Sequence, residues 1–142
     1  MKLIAHRGLF EGPDNTKENL PEQINLAIEQ GFDVEIDVWV LDNEIYLGHD
    51  GPTYRVDLSF LQRPGVWAHA KNLQALELLL DHRVHCFWHE NDERTLTSQG
   101  YIWTYPDKGV CAKSVIVVLD KDLELADKNV HAVCGDYVSA WR

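Results

Sequence analysis

Between Phe32 and Leu41 the chain alternates without a break. Val34, Ile36, Val38 and Val40 fall on one side of an extended backbone, and Glu35, Asp37 and Trp39 fall on the other. Few architectures accept such a strand. One face must be buried against a hydrophobic layer, while the other must hold two like charges that point the same way. A strand of a parallel barrel meets both demands, because its outer face packs on helices and its inner face reaches the mouth, where the chemistry of such barrels sits.

The rest of the chain supports this arrangement. Leu3-Ile4-Ala5 reads as a buried strand ending in His6-Arg7-Gly8. Glu11 to Asn15 is turn-rich. Asn19 reads as an N-cap, with Pro21 in the first turn and Glu22 as a capping-box partner. Leu20, Ile24, Ala27 and Ile28 follow at helical spacing, and Gly31 closes the helix. Asp42-Asn43 predicts a hairpin turn into Glu44 to Leu47, which delivers His49 and Asp50. Further strands are predicted at Val66 to Lys71, Val84 to His89, Tyr101 to Tyr105, Ser114 to Leu119 and Val130 to Val133. Helices are predicted at Leu73 to Leu80 with Asn72 as cap, at Glu93 to Ser98 and at Asp122 to Ala126. Trp67, Trp88 and Trp103 read as core residues.

Alternating strands and helices predict a parallel sheet with helical crossovers. A complete eight-unit barrel takes about 250 residues, and this chain has 142. The expectation is therefore a single domain over residues 1–142, a reduced (β/α) barrel lacking some outer helices. Apolar surface left by those helices predicts a homo-oligomer.

Composition excludes several functions. A net charge of −10 opposes a nucleic-acid partner, since phosphate backbones are gripped by basic surfaces. A phosphate-bearing substrate then requires a locally positive site. No apolar run is long enough to cross a bilayer. Met1 to Phe10 carries His6 and Arg7 where a secretory leader has an apolar core. The three cysteines, Cys86, Cys111 and Cys134, form no zinc or disulfide pattern, so a cytoplasmic location is expected.

The residues that carry chemistry lie early. Glu35 and Asp37 can share one hard cation such as Mg²⁺ or Ca²⁺. His6 and His49 can serve as base and acid near neutral pH. Arg7 offers a fork for phosphate oxygens. Together they supply what cleavage of a small-molecule phosphodiester needs.

Their order in the chain resembles the glycerophosphodiester phosphodiesterase family, within the wider phosphatidylinositol-specific phospholipase C-like phosphodiesterases. That family opens with H-R-G, P-E-N-T, a helix ending in Gly, E-x-D and H-D. Here the pattern reads His6-Arg7-Gly8, Pro13-Asp14-Asn15-Thr16, Gly31, Glu35-Ile36-Asp37 and His49-Asp50. Trp67 to Lys71 resembles the family's E-x-K strand, Ile102-Trp103-Thr104 its W-T strand, and Cys134 to Tyr137 its T-D-Y-P segment. The resemblance implies a (β/α)8 barrel, catalytic His6 and His49 as general base and general acid, a divalent cation on Glu35 and Asp37, and phosphate binding by Arg7 and Lys71. His69 stands where the family has a third metal-binding Glu. Water completes the reaction in a hydrolase, whereas a lyase would stop at a cyclic phosphate. The alternative reading is a non-catalytic barrel that binds a phosphorylated ligand or acts as an interaction module.

Overall fold

The computed structural model describes residues 1–122 and 129–142. The alternating segment forms β2 (Asp33–Leu41), and the sheet is organised around it. The lower half of β2 lies between β1 (Lys2–His6) and β5 (Val66–Ala70), both parallel to it, with Ala5 opposite Val34 and Ala68 opposite Ile36. Where β1 ends, β3 (Glu44–Leu47) takes over that edge in the antiparallel sense, with Leu47 opposite Val38. Asp42 and Asn43 make the turn between them, both at positive φ (51° and 64°), which suits a tight two-residue hairpin. β4 (Tyr54–Val56) pairs with β3.

Beyond β5 comes β6 (Cys86–Phe87). On the far side of β1 lie β10 (Ala132–Gly135), β9 (Ser114–Val118) and β8 (Ile102–Thr104), all parallel, and then β7 (Arg94–Leu96), antiparallel to β8. The two flanks approach each other. Ser98 N donates to Cys86 O at 2.8 Å, Cys86 N donates to Ser98 Oγ at 2.9 Å, and Thr95 Oγ1 donates to Trp88 O at 3.2 Å. The product is a curled, mixed half-barrel flanked by few helices, as expected of a reduced (β/α) barrel.

The faces of β2 separate as its alternation requires. Val34, Ile36 and Val38 are fully buried outside the curl, among Ile24 and Ala27 of α1 (Pro21–Glu29) and Ala75 and Leu79 of α3 (Leu73–Asp81). Asn72 caps α3, its side chain accepting from Ala75 N at 3.0 Å. Inside the curl, Ile4, Trp67, Phe87, Trp103, Val115 and Val117 form a second core. The link between β4 and β5 holds only the short α2 (Leu58–Leu61).

Several expectations need correction. Asn19 is no helix cap: it lies at φ 59°, Leu20 takes the N-cap position, and the Asn19 side chain is used elsewhere. The segment Glu93 to Ser98 carries β7 rather than a helix, because its backbone finds partners in β8 and Cys86. The strand expected over Val84 to His89 shrinks to Cys86–Phe87. The helix expected at Asp122 to Ala126 falls, apart from Asp122, outside the described residues. Among the described residues no helix is long and apolar enough to cross a membrane.

The strand starts frame a cavity of about 530 Å³ at the end opposite the mouth, where His85 is buried beside Trp67. Burial, reinforced by nearby His131 and opposed by Asp33, lowers the His85 pKa from 6.5 to about 4. Above pH 6.5 the ring is neutral in both the folded and unfolded chain. As pH falls from 6.5 towards about 4 the unfolded chain takes up a proton that the folded one refuses, so stability is lost in that window. The loss reaches roughly 2–3 kcal/mol. Urea unfolding of wild type and His85→Gln at pH about 7.5 and about 5 should show a smaller acid loss in the variant; equal losses would remove His85 as the cause.

Candidate functional site

The H-R-G turn sets the first half of the site. Arg7 and Gly8 are both left-handed, at φ 55° and 80°, and a Cβ on Gly8 would meet Ile24 Cγ1 at 2.9 Å. This bend aims the Arg7 backbone N–H at Glu35 Oε1, 3.2 Å away. The Arg7 guanidinium turns to acidic neighbours, donating to Glu18 Oε2 at 3.0 Å and lying 3.6 Å from Asp37 Oδ2.

Glu35 and Asp37 are buried, at 3% and 1% exposure, on the inner face of β2. Burial and the neighbouring Asp37 charge push the Glu35 carboxyl well above the usual carboxylate range, although Arg7 pulls the other way. Burial acts on Asp37 in the same sense, but there it is outweighed. His69 and Asn19 bond to its carboxylate and Arg7 adds charge, so Asp37 is held below its ordinary value. Asn19 Nδ2 donates to Asp37 Oδ2 at 3.0 Å, and Asp37 N donates to Asn19 Oδ1 at 2.9 Å. Asn tolerates the left-handed backbone that this reach demands.

His69 is the register partner of Asp37 across β2 and β5. Its Nε2 lies 3.2 Å from the His89 carbonyl, which can only accept, so Nε2 carries a hydrogen. Its Nδ1 lies 3.0 Å from Asp37 Oδ1 and 4.0 Å from Glu35 Oε2. A neutral ring so oriented turns a lone pair towards two carboxylates, an arrangement that needs a positive charge between them. A second proton on His69 can provide it, and so can a cation. A ring nitrogen fixed by donating its other N–H to a backbone carbonyl is how histidines are held to metals. Ligand atoms of Glu35, Asp37 and His69 lie within 4.8 Å of one another, a cluster geometrically compatible with a divalent cation.

Two further histidines stand at the rim. His6 Nδ1 lies 2.8 Å from Asp136 Oδ1, just past the end of β10, and His6 Nε2 lies 3.9 Å from Glu35 Oε1. His49 follows the hairpin. Trp39 Nε1 donates to Gly48 O at 2.7 Å and anchors the loop, and a Cβ on Gly48 would meet Gly51 O at 2.0 Å, so only glycine permits this turn. His49 Nδ1 lies 2.8 Å from Asp50 Oδ1. A carboxylate on Nδ1 fixes the proton there and leaves Nε2 able to take up or give up another.

His6, Arg7, Glu35, Asp37, His49 and His69 thus line one cavity of about 170 Å³. Lys71, one residue past the end of β5, does not line it. Pro13 to Thr16, read from the sequence as the P-E-N-T counterpart, forms a separate surface turn in which Thr16 bonds to Asp14. The Glu-Asn pair that reaches the site is Glu18-Asn19. Sequence reasoning also missed Asp136, His89 and Tyr105. Asp136 lies within a stretch that resembles the family, which was a usable signal; His89 and Tyr105 had none.

No protein-family model and no curated protein matches this chain. Among solved structures, the crystal structure of glycerophosphodiester phosphodiesterase from Agrobacterium tumefaciens is similar, with a TM-score of 0.64 at 14% identity over 99% of this chain and 97% of that one. At that identity the likeness concerns the fold.

Asn19 and Asn15 separate the two candidate motif positions experimentally. Asn19→Ala leaves the buried Asp37 N–H and carboxylate short of partners, which should cost about 2–4 kcal/mol in urea unfolding. Asn15→Ala, at an exposed position, should stay within about 0.5 kcal/mol of wild type. Equal effects would contradict this placement of Asn19.

Proposed function

We propose that this chain is a metal-dependent phosphodiesterase acting on small glycerophosphodiester-like or sugar-phosphate diesters. The observation that carries the reading is His69. With Nε2 tied to the His89 carbonyl and Nδ1 facing two carboxylates, it would turn an acidic pair into a metal-binding triad, in one cavity with His6 and His49, each of which meets a carboxylate. The similarity in fold to a glycerophosphodiester phosphodiesterase supports the same reading.

Glu35, Asp37 and His69 would hold the cation, Mg²⁺ or Ca²⁺. When bound, it supplies positive charge for the phosphate oxygens. His6 acts as general base: its Nε2 accepts a proton from the attacking hydroxyl, either water or a neighbouring hydroxyl of the substrate, while Asp136 stabilises the imidazolium that forms. His49, with Asp50 on Nδ1, acts as general acid and gives a proton to the departing alcohol oxygen. Arg7 is held beside the cluster by Glu18 and contributes a fixed positive charge there. Lys71 adds positive charge near His89. A non-catalytic barrel that binds a phosphorylated ligand or acts as an interaction module is the second reading, favoured by the shortened barrel with its few helices.

Calorimetry with Mg²⁺, Ca²⁺ and Mn²⁺ tests the triad. Glu35→Gln, Asp37→Asn and His69→Ala should each weaken binding by about 10-fold or more, and unchanged affinity in all of them would falsify the metal assignment.

Product analysis on a panel of phosphodiesters tests the chemistry. His6→Ala and His49→Ala should each lower turnover by about 10²–10⁴-fold and keep the metal. The pH–rate profile should be bell-shaped and lose one limb in each variant. No turnover on any diester, with metal binding intact, would leave the binding-module reading in possession.

A further inference from the structure

His89 belongs to none of the motifs, yet it stands on the cavity wall together with Tyr105. Its ring stacks on His69, with centroids 4.6 Å apart and planes 7° from parallel, and Tyr105 meets it edge-on at 4.9 Å. The Tyr105 hydroxyl lies 2.8 Å from His89 Nδ1. A phenol has one hydrogen to give, and among the described residues Nδ1 is the partner that this oxygen meets. With Tyr105 donating to Nδ1, the neutral ring carries its own hydrogen on Nε2.

That Nε2–H has no acceptor among the described residues. Nor is His89 a member of the metal-compatible cluster, which comprises Glu35, Asp37 and His69. Of the donors that the sequence suggested for phosphate, Arg7 lines the cavity with one guanidinium nitrogen spent on Glu18, and Lys71 lies off the cavity. A phosphodiester brings a delocalised negative charge on two non-bridging oxygens, and those oxygens need N–H or O–H groups aimed at them.

We propose that His89 is a substrate-binding residue that donates Nε2–H to a non-bridging phosphate oxygen, with Tyr105 as the positioning residue that fixes its tautomer. This deepens the phosphodiesterase reading of the same site and rests on it.

The test uses the full chain loaded with Mg²⁺ and inorganic phosphate as the probe. Long-range ¹H–¹⁵N NMR of the histidine rings should show His89 as the Nε2–H tautomer and show its Nε2 resonance moving as phosphate is added. His89→Ala should weaken phosphate binding by about 10-fold or more, and His89→Gln, which retains an N–H donor, should recover part of it. Tyr105→Phe should keep the ring but let the Nδ1–H form appear. Mg²⁺ affinity should be unchanged in all these variants, which also shows that they are folded. An Nδ1–H tautomer in wild type, phosphate affinity unaffected by His89→Ala, or no phosphate binding by the wild type would each overturn the proposal. Turnover on the diester panel is read separately. Cleavage with His89-independent phosphate binding sinks only the His89 assignment, whereas His89-dependent phosphate binding without any cleavage sinks only the enzyme.

Discussion

Glu35 and Asp37 are placed side by side inside a curled sheet, and everything near them follows from the cost of that placement. Each has lost its water, and each sees the other's charge. Three neighbours offset this for Asp37: the Asn19 amide, the His69 ring and the Arg7 guanidinium. Glu35 receives less, chiefly one backbone N–H and the Arg7 charge, and it is the carboxyl left reluctant to ionise. This asymmetry explains otherwise odd local features. Arg7 and Asn19 are both non-glycine residues in the left-handed region, and both adopt it while serving the same pair of carboxylates. In a protein of net charge −10, a phosphate site would need such charge neutralised locally, and Glu35, Asp37 and His69 form a cluster geometrically compatible with a divalent cation.

The sequence was most legible where one physical demand acted alone. The alternation of β2 survives in the structure because its outer face has only to meet α1 and α3. The Asp42-Asn43 turn and the Asn72 cap are local hydrogen-bonding solutions, and local solutions can be read from neighbours in sequence. Asn19 failed as a helix cap for the opposite reason. The same short amide that caps helices was claimed by Asp37, eighteen positions away, and a capping pattern carries no information about that. The helix expected at Glu93 to Ser98 failed likewise, since pairing with β8 outweighed a weak local preference. In the site, the E-x-D and H-D pairs stand out as patterns. His89 and Tyr105 meet only because a ring on one strand end faces a hydroxyl on another.

The missing helices do not leave the mouth undefined. β2 outruns β1, and the β3 hairpin uses the edge exposed beyond His6. That hairpin delivers His49, with Trp39 anchoring its loop through the Gly48 carbonyl. A shortened barrel can thus position its rim from the sheet itself, without a layer of outer helices behind every strand.

The contact between His6 and Asp136 spans 130 positions in the chain. It exists only because β10 slots in beside β1, so the first strand made is completed by the last strand of the sheet. During synthesis, β1 and β2 can form early and assemble most of the acidic cluster, but His6 lacks its carboxylate partner until β10 has arrived. A nascent or C-terminally trimmed chain would therefore hold its acidic cluster before the His6 ring had its carboxylate partner. Such a long-range closure is slow compared with hairpin or helix formation. The sheet's last strand therefore decides when the His6 ring gains its carboxylate partner.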